Sequence, residues 1–203
     1  MNTTMIPSAT LLLSILFISF GACAMPPDNN ILTQPAPWAT VVNQQANLYR
    51  IDDKLYRSEQ LSAADAGLLP DLGIKSVINL RFFDRNDNET NLAGRGLNLL
   101  NRPLLTWRIT PEQIADTLYL IEQNQQHGAV LIHCYHGADR TGLISAMYRI
   151  IYQGWSIEDA KAEMQQGPYG FHSIWKNIGK LFTEENVAEI RSRLDSLRAQ
   201  KRP

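Results

Sequence analysis

The chain has 203 residues, 44% of them hydrophobic, with 19 lysines and arginines against 20 aspartates and glutamates. That is the size of one ordinary domain with enough apolar matter for a packed core, which excludes disorder as its general state. With a net charge of -1 there is no global field to recruit nucleic acid or an anionic membrane surface, so attraction for an anionic substrate has to be local.

The first 24 residues carry no charged side chain, and an apolar run from Leu11 to Phe20 leads into Gly21, Ala22, Cys23 and Ala24. This reads as a secretory signal cut before Met25, with Pro26 and Pro27 discouraging any continuing helix. No lysine or arginine precedes Arg50, although signals usually carry one at their head. Two alternatives stay open, an uncleaved anchor over Ile6 to Met25 and lipidation of Cys23. Cleavage would leave Cys134 as the single cysteine, unable to form an internal disulfide, and a lone thiol in an oxidising compartment is a liability unless buried or used. Either route places the protein in the cell envelope. The exported, periplasmic form is the main expectation, without stable membrane insertion after cleavage.

Residues 25–46 are rich in proline, asparagine and glutamine and lack sustained periodicity, which suggests a linker or wrapping arm ahead of a folded domain over 47–203. Leu48-Tyr49-Arg50-Ile51 and Lys54-Leu55-Tyr56-Arg57 around Asp52-Asp53 predict a hairpin. Ser62 caps a short helix that ends before Pro70. Ile74 to Leu80 predicts a buried strand, and Asn98 to Arg102 another after a polar loop from Arg81 to Gly96. Thr110, Pro111 and Gln113 open a helix with a capping box and a first-turn proline, its apolar face formed by Ile114, Leu118 and Ile121. Ala129 to Ile132 is a strand running into His133-Cys134. Thr141 to Gln153 has the composition of a buried helix, Ser156 and Asp159 cap the next, and Thr183 with Glu184 opens a last helix whose Arg191, Arg193 and Arg198 suit its C-terminal end. Strands alternating with helices, then helices in series, predict an α/β fold: a small central sheet flanked by helices.

The segment His133-Cys134-Tyr135-His136-Gly137-Ala138-Asp139-Arg140-Thr141-Gly142 sets a thiol and a guanidinium at the two ends of a short loop between strand and helix. Such a loop turns successive backbone N–H groups onto an anion, and the helix adds its positive end. The same dipoles stabilise a thiolate, which makes Cys134 a nucleophile. Arg140 offers a planar fork for two phosphoryl oxygens. Gly137 permits a sharp turn and Gly142 close packing. Tyr135, His136, Gly137, Ala138, Asp139 and Arg140 are the candidate phosphate-binding positions. His133, at the end of a buried strand, fits a hydrogen-bonding role that orients the loop. His136 either lines the pocket or faces solvent.

The pattern resembles the Cys-x5-Arg-Ser/Thr signature of the protein tyrosine phosphatase superfamily. Leu55-Tyr56-Arg57-Ser58, Val77-Ile78-Asn79-Leu80-Arg81, Ala146-Met147-Tyr148-Arg149 and Gln153-Gly154-Trp155 are similar to segments of bacterial dual-specificity phosphatases, several of them exported. The resemblance spans roughly residues 47–182, one domain's length. It implies the cysteine-phosphatase fold and a phosphorylated protein as partner, with phosphotyrosine and also phosphoserine or phosphothreonine as target. It further implies a cysteinyl-phosphate intermediate without metal or other cofactor. By position it makes Cys134 the nucleophile, Arg140 the phosphate ligand and Thr141 a hydroxyl donor to the sulfur.

One part of the family pattern is missing. Dual-specificity phosphatases usually carry a general-acid aspartate on the loop that here reads Pro103-Leu104-Leu105-Thr106-Trp107-Arg108-Ile109-Thr110, which holds no acid. Positioned acid catalysis typically supplies about 10²–10⁴-fold. Asp139 is the first replacement, since it lies inside the loop; Asp84 or Asp87, Glu112 or Asp116, and water are the others. Trp107 is either a flap over the substrate ring or a core residue. Competing readings are a phosphoinositide phosphatase, which usually has lysines inside the loop, and a catalytically silent phosphate-binding module.

Overall fold

The computed structural model describes residues 37–201 together with Met1. The signal segment, Cys23 and most of the 25–46 arm lie outside the described residues.

Six strands form one mixed sheet in the order β1-β2-β3-β6-β4-β5. They are β1 Thr40–Asn43, β2 Leu48–Arg50, β3 Leu55–Ser58, β4 Ile74–Asn79, β5 Asn98–Asn101 and β6 Ala129–His133. The hairpin expected around Asp52-Asp53 is β2 and β3, paired Tyr49 to Arg57 and Arg50 to Tyr56. Asp52 fixes the turn by accepting from the backbone N of Lys54 and Leu55 at 2.8 and 2.9 Å. The end of the arm is built into the sheet, because β1 pairs antiparallel with β2. From β3 onward neighbouring strands run parallel. Central β6 has both faces covered, so it reads as an unbroken apolar run rather than as an alternation.

Alternate residues of β6 divide between two cores. Val130 and Ile132 face Ile114, Leu118, Leu143, Met147 and Ile190 from the long helices. Leu131 faces the other way, onto Leu48, Leu61, Leu69, Val77 and Leu92. The helices on the first face are α2 Pro111–Asn124, α3 Asp139–Tyr152, α4 Ile157–Gln166 and α6 Glu184–Gln200. The capping box forms at α2, where Thr110 accepts from the N of Gln113. Ser156 and Thr183 cap α4 and α6 in the same manner. Ser62 bonds Asp65 at the start of a 3-10 turn, Asp65–Leu68, in place of an α-helix. Two short helices interrupt stretches that carry no apolar period: α1 Asp87–Leu92, within the polar loop, and α5 Lys176–Gly179.

The parallel register carries the functional consequence. Ser58 and Asn79 stand opposite His133 on either side of β6. Three adjacent strands therefore end at one level, and the segments leaving them surround the loop that follows His133.

Candidate active site

The loop 134–138 joins β6 to the N-terminus of α3. Four consecutive carbonyls of this loop are held by the body of the protein. His133 Nδ1 lies 3.2 Å from the carbonyl of Cys134, which fixes the proton on Nδ1. The backbone N of Gln60 donates to the carbonyl of Tyr135 at 3.0 Å. Asn47 Nδ2 donates to that of His136 at 2.8 Å, and Arg57 Nη2 to that of Gly137 at 2.8 Å. In a trans peptide the N–H of the next residue points opposite to the carbonyl. The N–H groups of Tyr135, His136, Gly137 and Ala138 are thus turned away from the anchors, into the concave side of the loop. Together with the positive end of α3 they form an anion cradle.

Gly137 is required here twice over. Its φ is +70°, and a Cβ would come within 2.6 Å of backbone atoms of both Ser58 and Glu59. A Cβ at Gly142 would meet the Met164 side chain at 2.9 Å, the close helix packing expected there. Arg57 is buried at 1% exposure, and burial lowers its pKa from the ordinary arginine value. Its guanidinium lies over the Tyr169 ring at 3.8 Å, and the Tyr169 hydroxyl donates to Glu163 at 3.0 Å. Glu163 also takes two bonds from Arg149, at 2.8 and 2.9 Å. This buried chain stands behind the loop.

Cys134 is buried at the base of the loop and is a free thiol. Arg140 lines two neighbouring cavities of about 390 and 140 Å³. It makes no ion pair with any described carboxylate, and its Nε is buried without a hydrogen-bond partner. An arginine left unpaired among the described acidic residues is a cation held ready for an external anion. The Thr141 hydroxyl is also buried and unpartnered among the described residues, so its bond to the sulfur is not formed in this state. Tyr135 and His136 are exposed and line the larger cavity, so His136 combines the two positions open to it on sequence. Ala138 is almost fully buried and has only its backbone to offer a ligand.

Burial pushes His133 down to about 4, and the charges of Arg81 and Arg140 act in the same direction. The ring is therefore neutral at ordinary pH. With Nδ1 committed to the Cys134 carbonyl, it orients the loop, as expected at the end of a buried strand.

The candidate acids are distributed unequally. Asp84 and Asp87 are both ion-paired with Arg81, whose guanidinium lies 5.1 Å from the Tyr135 ring centroid. Asp116 pairs with Arg102 and Arg193, and Glu112 approaches Arg193 at 3.8 Å. Asp139 lines the larger cavity beside Arg140. Its carboxylate accepts from the backbone N and Nδ1 of His172, each at 2.9 Å. Trp107 is 58% exposed and lines the smaller cavity with Phe82, Phe83 and Arg140. It stands at the site rather than in the core. Nothing in the sequence marks Asn47, Gln60 or His172 as part of a site, and Arg57 enters there only as a hairpin residue and within a segment of the resemblance.

A mixed sheet flanked by helices, with a cysteine and an unpaired arginine about an anchored loop at a helix N-terminus, defines a cysteine-dependent phosphatase fold. Residues 84–152 match the Tyrosine phosphatase family. The chain is 36% identical over 138 residues to the dual specificity protein phosphatase TpbA of Pseudomonas aeruginosa, covering 68% of this chain and 62% of that protein. The alignment thus spans less than two thirds of the curated relative. The crystal structure of P. aeruginosa TpbA superposes with a TM-score of 0.71 at 32% identity, covering 78% of this chain and 96% of that one. A crystal structure of a TpbA variant in complex with pTyr matches with the same TM-score at 31% identity and the same coverage. The chain belongs to the tyrosine phosphatase family, in its dual-specificity branch.

Proposed function

We propose that this protein hydrolyses phosphotyrosine, and secondarily phosphoserine or phosphothreonine, on protein substrates in the cell envelope. The observation that carries this reading is the loop itself, with four carbonyls anchored outward and four N–H groups facing a cavity beside an unpaired Arg140. A phosphoryl group seated there places its phosphorus against the Cys134 sulfur. The thiolate attacks, an S–P bond forms, the ester P–O bond breaks, and the cysteinyl-phosphate is then hydrolysed by water. Arg140 and the loop N–H groups hold the equatorial oxygens, where preorganised donors lower the barrier most. Thr141 donates its free hydroxyl to the sulfur as it leaves in the second step. Asp139 belongs to the machinery that supplies the leaving group's proton. The aromatic rim of Phe82, Phe83, Trp107 and Trp175 suits an aryl phosphate, and the complex of a TpbA variant with pTyr supports that preference. Tyr135, His136 and Ala138 stand where a phosphoinositide phosphatase would more often carry lysine. Export rests on the uncharged apolar segment before Met25.

Cys134→Ser tests the assignment. Turnover of a phosphotyrosine peptide should vanish while the peptide still binds; retained turnover would show that the loop is not the catalytic centre. Signal cleavage is checked by the N-terminus of the mature protein, expected at Met25 in a soluble envelope fraction.

A further inference from the structure

A phenolate or alkoxide leaves phosphorus slowly without a proton, and the segment 103–110 brings no carboxyl to the site. Among the described residues, Asp139 is the one carboxylate lining the cavity beside Arg140. It is 8% exposed and both its oxygens are engaged by His172. Oδ1 accepts from the backbone N at 2.9 Å and lies 3.2 Å from Nδ1, while Oδ2 lies 2.9 Å from Nδ1. The His172 side chain is 48% exposed and lines the same cavity. Nδ1 is committed to Asp139, and no described residue hydrogen-bonds Nε2. The groups facing this ring are Asp139 from α3, His136 at 5.3 Å between centroids, and Arg140 across the cavity.

Resting on the phosphatase reading, we propose that His172 is the proton donor to the leaving group, and that Asp139 is the positioning residue which fixes its ring and tautomer. The arrangement is that of a carboxylate orienting a histidine at the cavity wall whose second nitrogen no described residue engages. In the first step the Cys134 sulfur donates a pair to phosphorus and the ester P–O bond breaks. The departing oxygen keeps the bonding pair and takes the Nε2 proton, which leaves His172 neutral. In the second step Nε2 accepts a proton from the attacking water. The S–P bond breaks, inorganic phosphate forms, and the Cys134 thiolate and the His172 imidazolium are restored. The acid has thereby moved from the loop after β5 to the segment ahead of α5.

The test is a leaving-group series, from 4-nitrophenyl phosphate to phenyl phosphate, with kcat/KM measured for wild type, His172→Gln and Asp139→Asn. For His172→Gln, phenyl phosphate should slow by about 10²–10⁴-fold, with 4-nitrophenyl phosphate slowed less than about tenfold, since its anion leaves unaided. Asp139→Asn should steepen the dependence in the same sense while keeping a high-pH limb in the profile, whereas His172→Gln removes that limb. Parallel leaving-group plots for wild type and both variants would overturn the assignment, as would equal loss on every substrate. Failure of the underlying phosphatase reading is a separate outcome, in which wild type does not cleave even 4-nitrophenyl phosphate, or Cys134→Ser cleaves it as well.

Discussion

Acidification should destabilise this protein through one histidine that performs no proton transfer. His133 is 1% exposed, with Arg81 and Arg140 close enough to oppose a further positive charge, and its pKa falls from 6.5 to about 4. The unfolded chain takes up this proton as pH drops through the ordinary histidine range, whereas the native state refuses it until about pH 4. Between those values the unfolded state binds more protons, so stability is full above the unfolded pKa and is lost as pH falls. A gap of about 2.5 units amounts to about 3 kcal/mol in total, of which about 2 kcal/mol has gone by about pH 5. Urea denaturation of wild type and His133→Asn between about pH 8 and pH 5 isolates the effect, because the ion-paired carboxylates titrate alike in both. Wild type should lose about 2 kcal/mol more than the variant over that interval. Parallel loss in the two proteins would refute the claim that the ring is held neutral by burial.

Gly137→Ala forces a Cβ within 2.6 Å of the Ser58 and Glu59 backbone. The loop has to shift by a few tenths of an ångström or more, and kcat/KM should fall by about 10²-fold with the circular dichroism spectrum unchanged. Glu163→Gln leaves Arg149 buried without its full counter-charge and should cost about 3–5 kcal/mol in urea denaturation. Trp107→Ala should leave stability within about 0.5 kcal/mol, as befits an exposed residue. It should also raise KM for phosphotyrosine peptide more than it lowers kcat.

The sequence made legible whatever depends on near neighbours. The caps at Thr110, Ser156 and Thr183 and the hairpin at Asp52 are local patterns, and each forms as expected; the spacing of Cys134 and Arg140 is local too, and it places them at the two ends of one loop between β6 and α3. The cradle's supports were not legible. Asn47 reaches a carbonyl 89 positions away and Arg57 one 80 positions away, distances set by the sheet's strand order rather than by any period. Asn47 reads as a turn residue and Gln60 as surface. His172 follows Pro168-Tyr169-Gly170-Phe171, a stretch with neither period nor motif, so only the fold reveals that it meets Asp139. α1 escaped for a related reason: its sequence Asp-Asn-Glu-Thr-Asn-Leu buries Leu92 against the second core and Asn88 beside Gln60 without an apolar stripe to announce it.

Because β3, β6 and β4 end together beside His133, the site divides into a foundation and a set of replaceable walls. The foundation is strand-borne: Arg57 and the backbone around Ser58 and Glu59 leave almost no freedom beneath Gly137. The walls come from segments 81–97, 102–110 and 168–175, each attached to the frame at its ends. Substitutions at their exposed positions can alter which phosphorylated side chain enters, or which residue delivers a proton, as long as buried members such as Leu92, Leu104 and Tyr169 are kept. A lineage built on such a frame is free to relocate its acid from one wall to another while the nucleophile stays where it is. For protein engineering, the same division marks the exposed positions of the three walls as the places to diversify and the strand ends as the places to leave alone.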